Sequence, residues 1–352
     1  MARGGFDAVI GNPPFIENRV VKKEYWLLNG TYSTEDAGNL YALCMERCAK
    51  SLAKSYFSMI VPNGLAGLDD ALCIRNYLIE QYTKNWFSGY AIRPAKLFEG
   101  VDQRLCIFVG HSSATKIKQT FVGGYRHWST EERSALFSTL RYQNHLGVHR
   151  LGRLPQVASF VASEILKKID VQSKKVVKSY FARVNAHVIH YHRSPRYWIR
   201  AMDFEPHFRS ATKDRSVHHF RDLAVVSADA AASICCLINS TLFFFWFVTL
   251  GNGRNITGRD VEEFPLGIVD ELGNKALLLS NLLMASYKKN SFVRSRIDCE
   301  FQEFRPSLSK PEIDEIDVLL AWHFGFTAEE LDYIINYDIK YRMGQGMDDN
   351  DD

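Results

Sequence analysis

One short stretch near the start of the chain constrains the fold more than any other: Phe6-Asp7-Ala8-Val9-Ile10-Gly11, closed by Asn12-Pro13-Pro14. An apolar run of this length stopped by proline reads as a buried strand. Helical spacing and apolar strands then alternate. Asn39 to Ala53 brings Leu40, Leu43, Cys44, Ala49 and Leu52 close to one stripe and feeds Tyr56-Phe57-Ser58-Met59-Ile60-Val61, a strand stopped by Pro62-Asn63-Gly64. Asp70 to Tyr82 is again helical, Trp86 to Tyr90 reads as a short strand, and Arg104 to Val109 as another. The alternation predicts an α/β architecture, half of a doubly wound parallel sheet. A central parallel strand needs neighbours on both sides, and the partners of Phe6–Gly11 on one side are expected to be absent from this chain.

After Gly110 the texture changes to a Ser/Thr/Lys-rich segment, and Phe121 to about Ser173 reads as short elements separated by Gly and Pro. Lys174 to Phe220 is dense in basic residues, among them Lys174, Arg183, His190, Arg193, Arg196 and Arg209, interleaved with Tyr180, Phe181, Tyr191, Tyr197, Trp198 and Phe208. Such interleaving offers charge for phosphates and flat groups for stacking. Alternating aromatics on a strand are equally ordinary core, and both readings stand. The apolar run Ile234 to Leu250, interrupted by Asn239-Ser240-Thr241, falls short of a membrane span and reads as a buried core helix. Three further helices are expected over Lys275–Phe292, Pro311–Phe324 and Thr327–Tyr337, the last opened by a capping box from Thr327 to Glu330.

With 43 Lys+Arg against 40 Asp+Glu the formal charge is only +3, so the whole-molecule field makes no case for a polyanionic partner. Asp348, Asp349, Asp351 and Asp352 form an acidic tail that leaves the rest of the chain more basic. The seven scattered cysteines contain no CxxC pair and read as buried thiols of a cytoplasmic protein. His187, His190 and His192 make a poor metal set, because strand alternation points His187 away from the other two and no acid intervenes. His218-His219 is no better. No nucleophile elbow, phosphate-cradling loop or nuclease-type acidic cluster stands out, and Asp214-Arg215 is a charged pair.

Asn12-Pro13-Pro14-Phe15 carries the sharpest chemistry. At the C-terminal end of a strand in an open α/β sheet, residues point into the ligand crevice. The proline pair stiffens the backbone, so the Asn12 amide oxygen and the Pro13 carbonyl can be aimed at one point. Two fixed acceptors suit an exocyclic amine such as adenine N6, and Phe15 offers a face for a base taken out of the helix. The same four residues also make a plain strand-terminating turn.

Phe6 to Phe15 resembles the catalytic motif of N6-adenine DNA methyltransferases, of the type II, type IIG-like restriction-modification class. Asp36-Ala37-Gly38-Asn39-Leu40-Tyr41, Ser58 to Asn63 and Lys96-Leu97-Phe98-Glu99-Gly100-Val101-Asp102-Gln103-Arg104 resemble later segments in the same order. Ile238 to Phe243 and Gly251 to Ile256 resemble the target-recognition domain, and Glu315-Ile316-Asp317 with Phe324 to Arg342 resembles the closing segment. The resemblance implies a partial Rossmann-like methyltransferase sheet over 1–115, an α+β target-recognition domain over 116–275 and a helical segment over 276–352. It implies S-adenosylmethionine as cofactor, double-stranded DNA as partner, no membrane, and catalysis by Asn12, Pro13, Pro14 and Phe15. Phe98, Arg104, Arg193, Arg196, Arg254 and Asn255 become candidate contacts to the flipped nucleotide or the duplex, each with packing or a turn as the rival role. The family's glycine-rich, cofactor-binding first half has no counterpart here, since eleven residues precede Asn12. The chain is therefore expected to be the C-terminal part of such an enzyme, completed by another polypeptide or inactive alone. A non-catalytic DNA-binding or specificity fragment is the alternative.

Overall fold

The computed structural model describes residues 5–21, 30–114, 117–145, 149–171, 175–183, 187–210 and 220–344. Lys174, Asp214, Arg215, His218, His219 and the acidic tail lie outside these. The chain divides into two compact units, residues 1–160 with 248–253, and residues 161–247 with 254–352.

The first unit is built on six strands: β1 (Phe6–Gly11), β2 (Ala53–Pro62), β3 (Lys84–Tyr90), β4 (Leu105–His111), β5 (Gln119–Gly123) and β6 (Tyr142–His145). Their order in the sheet is β1-β2-β4-β3-β5-β6. Helices α1 (Leu40–Ser51), α2 (Gly64–Gly67) and α3 (Leu72–Gln81) occupy the connections on either side of β2. The sheet is mixed rather than parallel: β1 runs with β2 and β3 with β5, but β4 lies antiparallel to both its neighbours. The physical reason is the connection. The crossover through α3 sets β3 one position beyond the neighbour of β2, and the chain then turns back through residues 91–104 to fill the gap in the opposite direction.

Period-two alternation in β2 buries Phe57, Met59 and Val61 on one face, against Ala42, Met45 and Ala49 of α1 and Ile74 and Leu78 of α3. Its other face carries Ile60, which joins Ile107 of β4 beside Tyr90, Leu97, Leu105, Trp128 and Leu136. Each large side chain buried this way contributes roughly 1.5–3 kcal/mol. Buried Arg75 on α3 donates to the carbonyls of Leu65 at 2.9 Å, Leu68 at 2.6 Å and Gly152, which fixes α2 and the turn after it. Burial lowers its guanidinium to about 10.

The second unit contains α4 (Phe160–Val171, from Val161 on) and two three-stranded antiparallel sheets. One has the order β10-β7-β8, from β7 (His187–His192), β8 (Ala201–Met202) and β10 (Phe220–Val225). The other has the order β11-β12-β9, from β9 (Phe208–Ser210), β11 (Ser291–Ser295) and β12 (Cys299–Phe304). The helices are α5 (Ala228–Asn239), α6 (Thr241–Leu250, as far as Phe247), α7 (Gly258–Glu262), α8 (Gly273–Lys289), α9 (Lys310–Phe324), α10 (Ala328–Ile335) and α11 (Ile339–Arg342).

The apolar run expected as one core helix is two helices, α5 and α6, bent by 63°. The polar trio at its centre makes the break. Ser240 is extended, with ψ 155°, and its hydroxyl accepts the Phe243 N–H at 3.0 Å. Asp317 on α9 accepts the N–H groups of Thr241 at 3.2 Å and Leu242 at 3.1 Å, so the first turn of α6 is capped from another helix. Among the described residues no single helix is long and apolar enough to cross a membrane. Three other expectations are corrected. The expected helix Lys275–Phe292 ends at Lys289, and Phe292 sits on β11. Phe121–Ser173 holds a twelve-residue helix, α4, whose Ala162, Ile165, Leu166 and Ile169 form a buried stripe. Of the seven thiols, Cys106, Cys235 and Cys236 are buried, and the other four are half-buried.

Candidate functional site

The parallel register pairs Gly11 with Met59, so Asn12 emerges at the C-terminal end of the β1–β2 pair. Asn12 and Pro14 are exposed, Pro13 is buried and Phe15 is half-buried. The segment after Phe15 is pinned to the start of α1. The Leu40 N–H reaches the Ile16 carbonyl at 2.9 Å, the Asn18 N–H reaches that of Gly38 at 2.8 Å, and Glu17 bridges Asn39. Asn39 caps α1 by accepting the Tyr41 N–H. Buried Glu46, about two turns further along α1, accepts the backbone N–H groups of Ser33 and Thr34 and the Ser33 hydroxyl. The loop 30–39 and the Asn-Pro-Pro-Phe loop thus form one tied structure. Sequence order alone did not disclose this.

Phe15 packs on both apolar clusters, and this is how it meets the loop that carries Phe98. Leu97 is buried beside Tyr90 and Trp128, while Phe98 is 47% exposed. The loop is held from outside by residues with no local sequence signal. The Ala95 N–H bonds to the Trp128 carbonyl at 3.0 Å. Arg133 donates to the carbonyls of Leu97 at 3.0 Å and Lys96 at 3.3 Å, and its guanidinium lies 5.5 Å from the Trp128 ring centroid. Ser129 and Glu132 close a capping box one residue before Arg133. Lys96 pairs with Asp102 at 2.7 Å across the loop. Phe15 therefore lies against a wall that includes Tyr90, Leu97 and Trp128, and Phe98 follows Leu97 on the same loop as an exposed ring.

The polar groups near the strand ends are buried and strongly perturbed. Burial pushes the Cys106 thiol up to about 12 and the Tyr90 phenol well above its usual range. Among the described residues, the Trp128 indole N–H and both amide atoms of buried Asn63 have no hydrogen-bond partner. Leaving such groups unmet costs about 1–3 kcal/mol each. Asn63 itself is fixed through its N–H, which bonds to the Arg104 carbonyl at 2.8 Å. Gly89 makes room beside it: a Cβ there would lie 2.0 Å from Gln156 Oε1 and 2.8 Å from Asn63 Oδ1, so those side-chain ends would have to shift. Asp7 is exposed on β1 and Arg104 is half-buried.

In the second unit the structure brings together two segments that sequence separated. The Ile256 N–H bonds to the Arg193 carbonyl at 2.7 Å, and the Ser194 hydroxyl donates to Asn255 Oδ1 at 2.7 Å. Arg193 and Arg196 are half-buried and Arg254 is exposed. Of the basic–aromatic stretch, Tyr180, Tyr191, Tyr197 and Trp198 are buried and pack as core. His190 meets Asp222 across the β7–β10 pair at 2.7 Å, an acid partner that a local reading missed. Among the described residues no group of three or more His, Cys, Asp or Glu is placed to hold a metal.

Comparison with known families decides what the first unit is akin to. Residues 1–88 match the Eco57I restriction-modification methylase family. The match spans β1, the Asn12–Phe15 loop, α1, β2 and α3, and it links the chain at the level of this region to restriction-modification methylases. No curated protein matches. Among solved structures, the Type IIL restriction-modification enzyme MmeI in complex with DNA aligns at 10% identity over 96% of this chain and 57% of its own, with a TM-score of 0.48. The type IIG restriction endonuclease BpuSI aligns at 11% identity over 94% and 54%, with a TM-score of 0.30. A nuclease-deletion mutant of the Type ISP enzyme LlaGI with a DNA substrate mimic aligns at 9% identity over 55% and 18%, with a TM-score of 0.35. The chain spans less than three fifths of the length of each.

Proposed function

We propose that the first unit is the target-base half of an adenine-specific DNA methyltransferase of a restriction-modification system, and that double-stranded DNA is its substrate. The observation that carries this reading is the exposed Asn12, presented at the end of β1 within the region that matches the methylase family. Asn12 Oδ1 and the Pro13 carbonyl accept the two hydrogens of adenine N6, which turns the nitrogen lone pair outward. Phe15 stacks on the extruded ring, and Phe98 and Arg104 contact the nucleotide from the facing loop. Target recognition is assigned to the part of the expected segment 116–275 that lies in the second unit, with Arg193, Arg196, Arg254 and Asn255 toward the duplex.

S-adenosylmethionine is the methyl donor this reading implies, and the described residues do not fit it. No glycine-rich turn opens a helix beside β1, and the outer side chains of β1 are open, Phe6 at 64% and Ile10 at 83% exposure. We therefore confine the mechanism to what this chain does to the acceptor base. Among the described residues β1 ends the sheet, and this supports a further segment pairing there to complete it. The second reading is a DNA-binding or specificity fragment without turnover.

The test is selection of bound duplexes from a random pool by the full chain, followed by 2-aminopurine at each adenine of the enriched sequence. The expected result is an enriched site with one position whose fluorescence rises on binding, lost in Asn12→Ala and Phe15→Ala. An enriched site without such a position leaves the specificity reading and removes the base-handling one. No enrichment overturns both.

A further inference from the structure

The sheet β11–β12–β9 takes no part in the site above, and its side chains are sorted by strand alternation. Pairing sets Phe292 opposite Glu303, Arg294 opposite Phe301, and Phe301 opposite Phe208, so these five share one face. Arg296 continues that row, with its guanidinium 5.2 Å from the Phe301 ring centroid. Arg294 and Arg305 lie 6.0 and 5.1 Å from the ring of Phe292. The acid of this face, Glu303, is 6% exposed and bonded to Arg294 at 2.7 Å. What the face offers outward is therefore cationic and aromatic, while Glu300 and Arg209 stand opposite each other in register on the other face, Glu300 3.8 Å from His207. At the tip, the Arg296 N–H bonds to the Cys299 carbonyl at 2.8 Å, which closes a loop of Ile297 and Asp298. Ile297 is 104% exposed.

We propose that the β11–β12 ribbon enters the major groove of duplex DNA, with Arg296 and Arg305 on backbone phosphates and Ile297 against base edges. A two-stranded ribbon fits the width of that groove, and an apolar tip suits the thymine methyl group. Guanidinium groups already laid on rings lose less freedom when they meet a phosphate. Asp298 shares the tip and is directed to a base donor such as cytosine N4, since a phosphate repels it. This inference rests on the duplex-DNA reading and adds a contact surface to it.

The test measures anisotropy of a labelled mixed-sequence duplex with the full chain over a range of salt. Arg296→Ala/Arg305→Ala is expected to raise Kd about tenfold and flatten the salt slope by about 2, the loss of two phosphate contacts. Arg296→Lys keeps the slope, Ile297→Ser weakens binding with the slope unchanged, and Lys50→Ala, on exposed α1 surface, changes neither. Circular dichroism of each variant checks folding, and Arg296→Glu, with a larger loss than Ala, separates charge from shape. Wild-type behaviour of the double variant, in a chain that binds the duplex, overturns the ribbon and leaves the DNA reading. A wild-type chain that binds no duplex overturns both. Stronger competition by single strands than by duplex overturns groove entry.

Discussion

The Tyr287 hydroxyl donates to Asn239 Oδ1 at 2.8 Å, completing a buried amide whose every hydrogen-bonding capacity is used. The same oxygen accepts the Ala201 N–H at 3.0 Å, and Nδ2 donates to the carbonyls of Ala201 and Cys235, both at 2.8 Å. This junction ties β8 to α5 and α8. Asn239→Leu leaves those partners unmet and is expected to cost about 2–4 kcal/mol in urea unfolding, while Tyr287→Phe costs about 1–2 kcal/mol. The double variant is expected to cost less than the sum, because both changes break the same hydrogen bond.

Asp317 gives a pH signature. Burial pushes its carboxyl up to about 6, against the opposing pull of the Thr241 and Leu242 donors and of Arg342. The folded value lies above the unfolded one, so the native state binds the extra proton between about pH 4 and 6, and stability falls as pH rises through that window. Wild type is expected to exceed Asp317→Asn in stability by most below about pH 4, by an amount shrinking on the order of 1–3 kcal/mol up to pH 6, and level above it. A difference that grows with pH in urea titrations of the pair refutes the assignment.

Arg133 is expected to act on the Phe98 loop without touching the base. Arg133→Ala removes both carbonyl contacts to Lys96 and Leu97, so backbone amides of residues 95–101 should exchange with deuterium about tenfold faster, roughly 1.4 kcal/mol of local opening. Amides of β2 are expected to keep their protection. Arg133→Lys restores part of the effect, because lysine keeps the charge but not the fork.

Gly67 has no room for a side chain. A Cβ there would stand 2.0 Å from the Gly251 carbonyl oxygen, a backbone atom that cannot swing away. Gly67→Ala is expected to lower stability by about 2 kcal/mol or more by thermal unfolding. Gly100→Ala meets nothing within 4 Å and strains only its positive φ of 74°, so it is expected to cost about 1 kcal/mol.

Local periodicity exposed the elements whose pattern is self-contained. The strands at Phe6, Tyr56, Trp86 and Leu105, the helices over α1, α3 and α9, and the Thr327 capping box of α10 all stand where spacing puts them, although β1, expected as a buried strand, has its side chains mostly exposed. What spacing does not encode is pairing. The run at Leu105–His111 looks alike whether it lies parallel or antiparallel, and its direction is set by the reversal through residues 91–104. The stripe of α4 was legible at Ala162, Ile165, Leu166 and Ile169 and was hidden by the glycines and prolines before it. The break at Ser240 showed in the polar trio, but the acid that caps the turn after it, Asp317, lies on a helix far away in sequence. In the same way Asn12 to Phe15 announced themselves, whereas the wall behind Phe15 is assembled from Tyr90, Leu97 and Trp128, which no window of sequence unites.

The bend between α5 and α6 also sets an order of events during synthesis. Thr241 and the carboxylate that caps it are 76 positions apart. Until α9 has left the ribosome, the aromatic segment Phe243–Phe247 has neither its capping acid nor the helices that bury it. A nascent chain stalled between these points presents an uninterrupted oily surface, so this protein should depend on chaperones most during that interval of translation.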